Sequence, residues 1–383
     1  MSVVKVCHDD CCGCTACQAV CRHDAIAMLP DSEGFSFPVV DEKKCMECGL
    51  CETVCPVLKP ASTGEKPLKI FAAYSQDEAV VKRSTSGGIF HHLAEWTIQR
   101  GGVVCGAVYD ENFHVKHILA ESMEGVARMH GAKYVQSVVE DGLLDNIRSY
   151  LRQGRWVLFS GTPCQVAGVR NMMNSGREHL LLCDVVCRSV SSPMIYGDYL
   201  KFAQRKDRLS SINMRSKTRG WDKTAFRLDY KNGKCIEGKG DAQLWHDIHF
   251  SGMVSRPCCA TCCYSNMMRV GDITLGDFWG VKQSHPAFFH QEGVSLMMVN
   301  SDRGQTVLKD IFPDLVALES TSQLCRQPAL CSPAPRSPRR QAFWADYEKM
   351  TFEKLAVKYF NYGWLNQSRK KMKRWVKKIM GRK

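Results

Sequence analysis

Two runs of cysteine near the N-terminus constrain this chain more than any other feature. Each run has four cysteines separated by two, two and three residues, and Pro56 follows the second run. The members are Cys11, Cys14, Cys17 and Cys21 in the first run, and Cys45, Cys48, Cys51 and Cys55 in the second. A spacing repeated in this way is a metal-ligand pattern, so we expect this segment to fold around bound metal.

The spacing is typical of bacterial ferredoxins that hold two [4Fe-4S] clusters. In that arrangement each run gives three thiolates to one cluster and its fourth thiolate to the other. The predicted ligands of the first cluster are Cys11, Cys14, Cys17 and Cys55, and those of the second are Cys45, Cys48, Cys51 and Cys21. Clusters of this kind carry single electrons, so the pattern predicts electron transfer.

Two other interpretations of these cysteines fit less well. Structural zinc also takes four cysteines, but it needs two Cys-x2-Cys pairs per site, whereas each run here adds a third step and a fourth cysteine. A disulfide framework requires an oxidising compartment, and residues 1–10 contain no apolar secretion signal. The first run departs from the usual pattern at Arg22, where proline is more common. That departure leaves the ligands intact and bears only on the geometry of the turn.

Length and composition predict a second, larger unit. The chain has 383 residues, of which a ferredoxin-type domain would use 1–58, and thirteen of its 21 cysteines lie outside the two sets of ligands. We expect a linker at 59–69, a main domain at 70–327, and a proline-rich linker with a basic helical tail at 328–383. The surplus cysteines indicate further metal or redox chemistry in the main domain.

The main domain has the pattern of an α/β fold. Short apolar runs that predict strands, at 70–74, 103–108, 156–160 and 180–186, alternate with segments of helical periodicity. A strand at 224–230 leads into an Asn-Gly turn, which predicts an antiparallel hairpin. The fold class expected is therefore α/β, α+β overall, with a small ferredoxin-type domain before a larger mixed-sheet domain.

Charge and hydropathy bear on location and partners. No apolar run approaches the roughly 18 residues that a membrane span needs, so we expect a cytoplasmic protein. The net charge is +13, but residues 369–383 carry nine of the basic side chains and no acidic ones, which leaves +4 for the rest. A nucleic-acid groove is therefore not expected. The tail predicts a basic amphipathic helix for an anionic membrane surface or an acidic partner, with a solvated, frayed terminus as the alternative.

A second group of cysteines follows the predicted strands of the main domain. Thr162 as N-cap, then proline, and Gln165 three residues beyond the cap predict a capping box and a helix start. Cys164 then lies in the first helical turn, where the macrodipole favours a thiolate. If the strands are parallel, Cys187 lies at the same sheet edge. A third cluster on Cys164, Cys187, Cys259 and Cys262 is one interpretation; a redox-active thiol beside a zinc or purely structural knot at 258–263 is the other.

Several ordered segments then resemble the coenzyme F420 hydrogenase/dehydrogenase beta subunit family, in its bacterial form with an N-terminal ferredoxin module. They are 84–88, 101–104, 131–137, 159–165, 184–187, 220–221 and 259–280. The resemblance spans about 68–300. It implies a flavin-containing electron-transfer subunit with FAD, a third [4Fe-4S] cluster in the main domain and, in some members, coenzyme F420 as substrate.

The same resemblance implies flavin contacts. The predicted set is Ser86, Gly87, Gly88, Lys133, Tyr134, Gln136 and Thr162. The glycine turn before a helix suits a phosphate because glycine lets the backbone approach and the helix start offers N–H donors. A simple turn is the alternative. Arg215, Lys217 and Trp221 are candidates for a substrate pocket, or else surface charges beside a core tryptophan.

Two functions are consistent with these features. The first is an iron-sulfur flavoprotein oxidoreductase that passes electrons between ferredoxin-type clusters and a flavin or deazaflavin-type site. The second is a non-catalytic relay subunit of a larger hydrogenase or dehydrogenase complex. Both require a redox partner protein or a soluble electron carrier. The catalytic residues are not identified by the sequence.

Overall fold

A small N-terminal module packs against a larger domain in the computed structural model, which describes residues 6–60, 66–173, 177–223 and 225–363. The α/β fold expected from the sequence is confirmed. The module consists of α1 (Ala16–Val20), β1 (Ile26–Pro30), β2 (Ser36–Val40) and α2 (Leu50–Val54), and its two strands form an antiparallel hairpin.

The two cysteine runs fold in the same way. Each bends through two left-handed residues at matching positions, Gly13 and Thr15 in the first run and Glu47 and Gly49 in the second, before its short helix begins. The fourth cysteines also match, because Cys21 has φ −75° and ψ 105° while Cys55 has φ −69° and ψ 119°. Arg22 therefore leaves the turn that follows the first helix unchanged.

The larger domain contains the remaining regular elements. Its strands are β3 (Lys69–Ser75), β4 (Val103–Tyr109), β5 (Val115–Ala120), β6 (Val157–Gly161), β7 (Leu180–Val185), β8 (Leu209–Ser216), β9 (Ala225–Tyr230), β10 (Cys235–Glu237), β11 (Ile273–Asp277), β12 (Ser295–Val299) and β13 (Leu315–Glu319). Its helices are α3 (Glu78–Arg83), α4 (Ile89–Gln99), α5 (Met123–Ala127), α6 (Leu143–Arg152), α7 (Pro163–Met172), α8 (Pro193–Ala203), α9 (Gly240–Phe250), α10 (Val281–Ser284), α11 (Asp302–Ile311), α12 (Arg340–Tyr347) and α13 (Phe352–Phe360).

An eight-stranded mixed sheet forms the centre of this domain. Its strand order is β13-β3-β12-β11-β7-β6-β4-β5. Strands β4, β6, β7 and β11 run parallel to their neighbours within this group, whereas β5, β12 and β13 pair antiparallel to theirs. The predicted hairpin after β9 is also confirmed, since β9 pairs antiparallel with β10 in a separate three-stranded sheet with β8.

The parallel strands bring the main-domain cysteines to one edge. Strands β6 and β7 are adjacent and parallel, so Cys164 and Cys187 both follow carboxyl ends at the same side of the sheet, as expected. Strand β11 lies on the other side of β7, and its carboxyl end reaches the same edge. Open α/β sheets bind ligands at this edge.

Residues 328–363 contain more regular structure than the linker predicted there. Helices α12 and α13 pack on the main domain through the buried side chains of Phe343, Leu355 and Tyr359. The predicted basic helix at the end of the chain lies outside the described residues. Among the described helices, none has the length and apolar character to cross a bilayer.

The ferredoxin module contacts the main domain through a close-packed interface. Helix α7 approaches the first cysteine run at Gly168, where a Cβ atom would lie 2.8 Å from Sγ of Cys14. Farther along α7, the amide of Asn171 donates to the Lys59 carbonyl at 2.8 Å. Arg340 pairs with Glu33 on the opposite side of the module. The two units are therefore held in a fixed relation.

Candidate redox site

The four predicted ligands of the second ferredoxin cluster line a single cleft. Cys21, Cys45, Cys48 and Cys51 line this cleft together with Met46, which has 68% of its surface exposed. Cys48 is itself exposed. The cleft therefore brings together the cysteines that spacing assigned to this cluster, at a place open to solvent.

The predicted ligands of the first cluster lie deeper. Cys14, Cys17 and Cys55 are buried, and Cys11 is partly buried. Burial, followed by the proximity of Cys11 and Cys55, raises the pKa of Cys17 to about 12. Thiols that raise one another's pKa in this way are close enough for their negative charges to repel, and a bound cation removes that repulsion.

Helix α7 starts as the sequence predicted. Thr162 is its N-cap and Pro163 its first residue, and the side-chain oxygen of Gln165 accepts from the Thr162 backbone N–H at 3.1 Å, which completes a capping box. Cys164 lies in the first turn, 3.2 Å from the Thr162 hydroxyl. Its pKa is nevertheless raised, first by a hydrogen bond with Cys12 and then by burial. The hydrogen bond with Cys12 and burial therefore raise the pKa of Cys164 by more than the helix N-terminus lowers it.

Four main-domain cysteines come together at the carboxyl edge. Burial raises the pKa of Cys187, and three neighbouring thiols, Cys259, Cys164 and Cys262, raise it further in that order. Cys259 and Cys262 lie on and just after a short 3-10 helix at Pro257–Thr261. Among the described residues, no three His, Cys, Asp or Glu side chains converge on a single-ion site.

The neighbouring cysteines have different partners. Cys258 donates a hydrogen bond to Cys259, which lowers the pKa of Cys259 despite its burial. Cys258 packs with Cys12 and Cys14 of the ferredoxin module, whereas Cys263 is exposed. Cys12 belongs to neither predicted ferredoxin set, yet it lies between Cys14 and Cys164. The main-domain cysteines and the first ferredoxin run thus form one continuous group of thiols.

A buried ion pair fixes the loop that follows the cysteine pair. The Nη2 atom of Arg269 lies 2.8 Å from Oδ2 of Asp184 on β7, and both side chains are almost fully buried. Arg269 also donates through Nη1 to the backbone carbonyls of Tyr264 and Asn266. The segment after Cys262 is therefore tied to the strand that precedes Cys187.

His117 supports the end of β6 from β5, which lies on the far side of β4 in the sheet. Its Nε2 atom lies 3.0 Å from the Ser160 carbonyl oxygen, and because a carbonyl can only accept, the neutral ring donates from Nε2. The ring stacks on Phe159 with centroids 5.5 Å apart. Burial lowers the pKa of His117 to about 4. The imidazole is consequently neutral in the folded protein near neutral pH.

This histidine predicts a loss of stability in mild acid. The unfolded chain takes up a proton near pH 6.5 but the folded His117 does not until about pH 4, so the free energy of unfolding falls as pH drops through that window. Between pH 6.5 and pH 5 we expect this one group to cost about 1.5 kcal/mol. Guanidinium unfolding of wild type and His117→Gln at both pH values measures it. An equal pH dependence in the two proteins would contradict the assignment.

The predicted glycine turn is a tightly packed junction. A Cβ atom on Gly87 would lie 2.3 Å from the Ala73 carbonyl oxygen of β3, and Gly88 is the N-cap of α4 with φ +90°. The backbone N–H of Gly87 donates to Ser295 at 2.9 Å. Beside them, Ser86 is buried and its hydroxyl has no hydrogen-bond partner among the described residues. An orphaned hydroxyl of this kind fits a bound ligand or an ordered water.

Lys217 holds this turn in place. Its ammonium donates to the backbone carbonyls of Val81 at 2.7 Å and Ser86 at 3.1 Å, and to that of Glu292. Burial lowers the pKa of Lys217 to about 8. All three N–H donors are thus used within the protein, so Lys217 positions three loops and has no free donor for a substrate.

An aromatic and charged surface connects the glycine turn to Cys187. Trp221 stacks on Trp279 with ring centroids 5.2 Å apart and an interplanar angle of 7°, and both lie beside the end of β11. Asp277 accepts from Trp221 Nε1 at 2.8 Å and from Arg215 at 2.9 Å. Trp279 remains 37% exposed. The Nε atom of Arg215 is buried without a partner among the described residues.

Not all of the other residues predicted to contact flavin lie near the glycine turn and Trp279. Tyr134 is near Arg215, Asp277 and Cys187, and burial raises its pKa to about 12. Thr162 is at the start of α7 beside Cys164. Lys133 instead donates to three backbone carbonyls at 129–131, and burial lowers its pKa to about 7.

Gln136 lies at the interface with the ferredoxin module. Its Nε2 donates to the Cys12 carbonyl at 3.2 Å, and its Oε1 accepts from Arg256 at 2.9 Å. Both ends of this amide are therefore used away from the glycine turn. No role was predicted from the sequence for Arg256, Asp277 or Trp279. Two of them lie within the segment 259–280 that carries the family resemblance, and the arginine directly precedes the proline of the 3-10 helix.

Comparison with known proteins agrees with this arrangement. The family described as "4Fe-4S dicluster domain" matches residues 10–58, and the family described as the C terminus of the "Coenzyme F420 hydrogenase/dehydrogenase, beta subunit" matches residues 154–321. The resemblance to the coenzyme F420 hydrogenase/dehydrogenase beta subunit family is thereby confirmed over residues 154–321. Residues 10–58 match a dicluster domain, so the chain is an iron-sulfur electron-transfer protein.

Two relatives match most of the chain. The F subunit of the F(420)H(2) dehydrogenase of Methanosarcina mazei is 28% identical over 295 residues, which cover 71% of this chain and 78% of the relative. A chain from the F420-reducing [NiFe] hydrogenase complex of Methanosarcina barkeri superimposes with a TM-score of 0.47 at 16% identity, covering 77% of this chain and 92% of that one.

Proposed function

We infer that this protein is an iron-sulfur flavoprotein oxidoreductase with three [4Fe-4S] clusters and one FAD. The observation that carries the proposal is the unbroken group of thiols from the first ferredoxin run to the carboxyl edge of the sheet. Cys14, Cys12 and Cys164 follow one another across the interface. Electrons that enter the ferredoxin module would therefore have a protein-enclosed route to the main domain.

The proposed ligands of the third cluster are Cys164, Cys187, Cys259 and Cys262. Support comes from their proximity: Cys187 lies close enough to Cys259, Cys164 and Cys262, and Cys262 close enough to Cys164 and Cys259, for neighbouring thiolates to repel one another. Cys258 instead gives its proton to a hydrogen bond with Cys259, which favours Cys259 as the thiolate. We therefore propose Cys259 and Cys262, and not Cys258 and Cys263, as the ligands from this segment.

The proposed flavin site lies between the glycine turn at 86–88 and Cys187. Three observations support it: the Ser86 hydroxyl and the Arg215 Nε atom are buried without a hydrogen-bond partner among the described residues, and Trp279 is 37% exposed. A flavin converts between two-electron and one-electron chemistry. Here Ser86 and Gly88 would hold a phosphate, while Trp279 and Tyr134 would border the ring system.

The resemblance to the family also indicates a class of substrate and of redox partner. We propose a deazaflavin of the coenzyme F420 type, or a related two-electron carrier, as the organic reactant, and a protein or soluble carrier as the one-electron partner. The competing function is a relay subunit without its own substrate site. It is favoured by Lys217 and Gln136, whose polar atoms are used internally.

Cofactor counting separates the two functions. Anaerobically purified wild-type protein should contain about twelve irons and twelve acid-labile sulfides per chain if three cubes are present. It should also release one FAD per chain, and dithionite should bleach the flavin absorbance. About eight irons would remove the third cluster from the proposal, and full iron without flavin would establish the relay.

Trp279 offers a sharper test of the flavin position. We expect Trp279→Ala to lower the flavin content per chain at least severalfold, because the ring borders the proposed isoalloxazine position. Iron content should not change. Phe312, with a similar exposure of 41%, lies at the distant β13 end of the sheet, and Phe312→Ala is the matched control. Flavin retained equally by both variants would place the flavin elsewhere.

A further inference from the structure

Arg256 of the main domain extends into the ferredoxin module. Only 1% of its surface is exposed, although it directly precedes the 3-10 helix that carries Cys258 and Cys259. Its Nε donates to the Cys11 carbonyl at 2.7 Å, and its Nη2 donates to the Ser36 carbonyl at 2.9 Å. The guanidinium is thus anchored on both the first cysteine run and the hairpin strand β2.

The same guanidinium reaches a predicted cluster ligand. Its Nη2 atom lies 3.7 Å from Sγ of Cys11, within hydrogen-bond distance for sulfur. The ring of Phe37 lies 4.3 Å from the guanidinium carbon and that of Phe35 lies 5.3 Å away. Aromatic faces and burial exclude water from this position, so the charge of Arg256 acts on the sulfur with little screening.

The hydrogen-bond acceptors of Arg256 point to its missing counter-charge. They are two backbone carbonyls, the amide oxygen of Gln136 and the sulfur of Cys11. A buried cation is costly unless an anion balances it, and of these four groups only the sulfur can become negative. The thiolate-ligated first cluster would supply that anion.

We propose that Arg256 is the counter-ion of the first ferredoxin cluster and raises its reduction potential. Net charge, hydrogen bonds to the sulfurs and solvent exposure set such potentials. A cation beside a ligating sulfur stabilises the reduced form, which carries one more negative charge. The second cluster lies in the open cleft beside Met46.

The consequence is a direction for electron flow. An electron that reduces the exposed second cluster passes to the first cluster, so the second is reoxidised and the first is reduced, with no change in bonding. Electrons are thereby drawn toward Cys12 and the main-domain thiols. The proposal rests on the ferredoxin module and stands whether or not the main domain binds flavin.

Potentiometric titration of the full-length holoprotein, monitored by EPR with dithionite as reductant, tests this role. In Arg256→Gln we expect one of the two ferredoxin transitions to move to lower potential while the other stays in place. The control is Arg340→Gln, because Arg340 is also a buried arginine that pairs with the module, through Glu33, without contacting a cysteine sulfur. Both ferredoxin transitions of this variant should match the wild type. A titration of Arg256→Gln that superimposes on wild type would overturn the proposal.

Two further measurements complete the test. The shifted signal should be the ferredoxin signal least relaxed by an added aqueous lanthanide complex, since the second cluster faces solvent; a shift in the more relaxed signal would overturn the assignment. If Arg256→Gln does not fold, Arg256→Met decides. Methionine keeps an unbranched apolar side chain but removes the charge, so a lowered potential supports the proposal while an unchanged one overturns it. Failure of both variants to fold would assign Arg256 to packing alone.

Discussion

Replacement of Cys187 with alanine is expected to remove about four of about twelve irons per chain, because a [4Fe-4S] cube rarely survives the loss of one thiolate in four. The eight ferredoxin cysteines are not affected by this change, so the remaining irons and their EPR signals should persist. Iron and sulfide analysis of the anaerobically purified variant measures the loss. The magnitude is large because Cys187 lies beside three other thiols, those of Cys259, Cys164 and Cys262, that would hold the same cluster.

The control for this variant is Cys105→Ala. Cys105 is fully buried in β4 within an apolar cluster, so its replacement tests the cost of losing any core thiol. Equal iron in the two variants would contradict the third cluster. A second comparison tests which of the adjacent cysteines is the ligand: Cys259→Ala should lose the same four or so irons as Cys187→Ala, whereas Cys258→Ala should keep them.

Replacement of Arg269 with methionine is expected to lower the free energy of unfolding by about 3–5 kcal/mol. The change leaves the Asp184 carboxylate buried without its cation, and it removes the donor for the Tyr264 and Asn266 carbonyls. Anaerobic guanidinium unfolding of the holoprotein measures the difference. The loop that carries Cys262 should also become more susceptible to limited proteolysis.

A surface pair in the same domain provides the comparison. Lys282 and Asp222 are separated by the same 2.8 Å, but 48% and 33% of their side chains are exposed, so Lys282→Met should cost no more than about 1 kcal/mol. The double variant Arg269→Met with Asp184→Leu should be less unstable than Arg269→Met alone, because it removes both charges. If Arg269→Met and Lys282→Met had the same free energy of unfolding, the Arg269–Asp184 ion pair would not be what holds the loop after Cys262.

Local patterns in the sequence were enough to predict the elements that depend on neighbouring residues. The cysteine spacing assigned the four side chains that share the open cleft, and Thr162 with Gln165 predicted the capping box that starts α7. The parallel direction of β6 and β7 agrees with the partly parallel sheet expected from the alternation of strands and helices.

Contacts between distant segments could not be predicted in the same way. The sequence around β11 does not indicate that β11 pairs in parallel with β7. It also does not indicate that the next strand, β12, pairs antiparallel with β11. Arginine is usually found at the protein surface, and nothing in the sequence around Arg256 predicts that it is buried. Its burial depends on a module that lies 200 residues or more earlier in the chain. From the sequence, Lys217 would likewise be predicted to be an exposed cation. In the structure it contacts three backbone carbonyls that are distant from it in the chain.

Because of Gly168, the ferredoxin segment of this chain cannot be exchanged for another one without changing the interface. A glycine inside a helix costs about 1 kcal/mol relative to alanine, so its presence in α7 reflects the sulfur of Cys14 that occupies the space beside it. A ferredoxin from another protein, fused at the same point, would meet a helix shaped for a different partner. Engineered hybrids that exchange the electron input of this chain must therefore redesign α7 together with the graft.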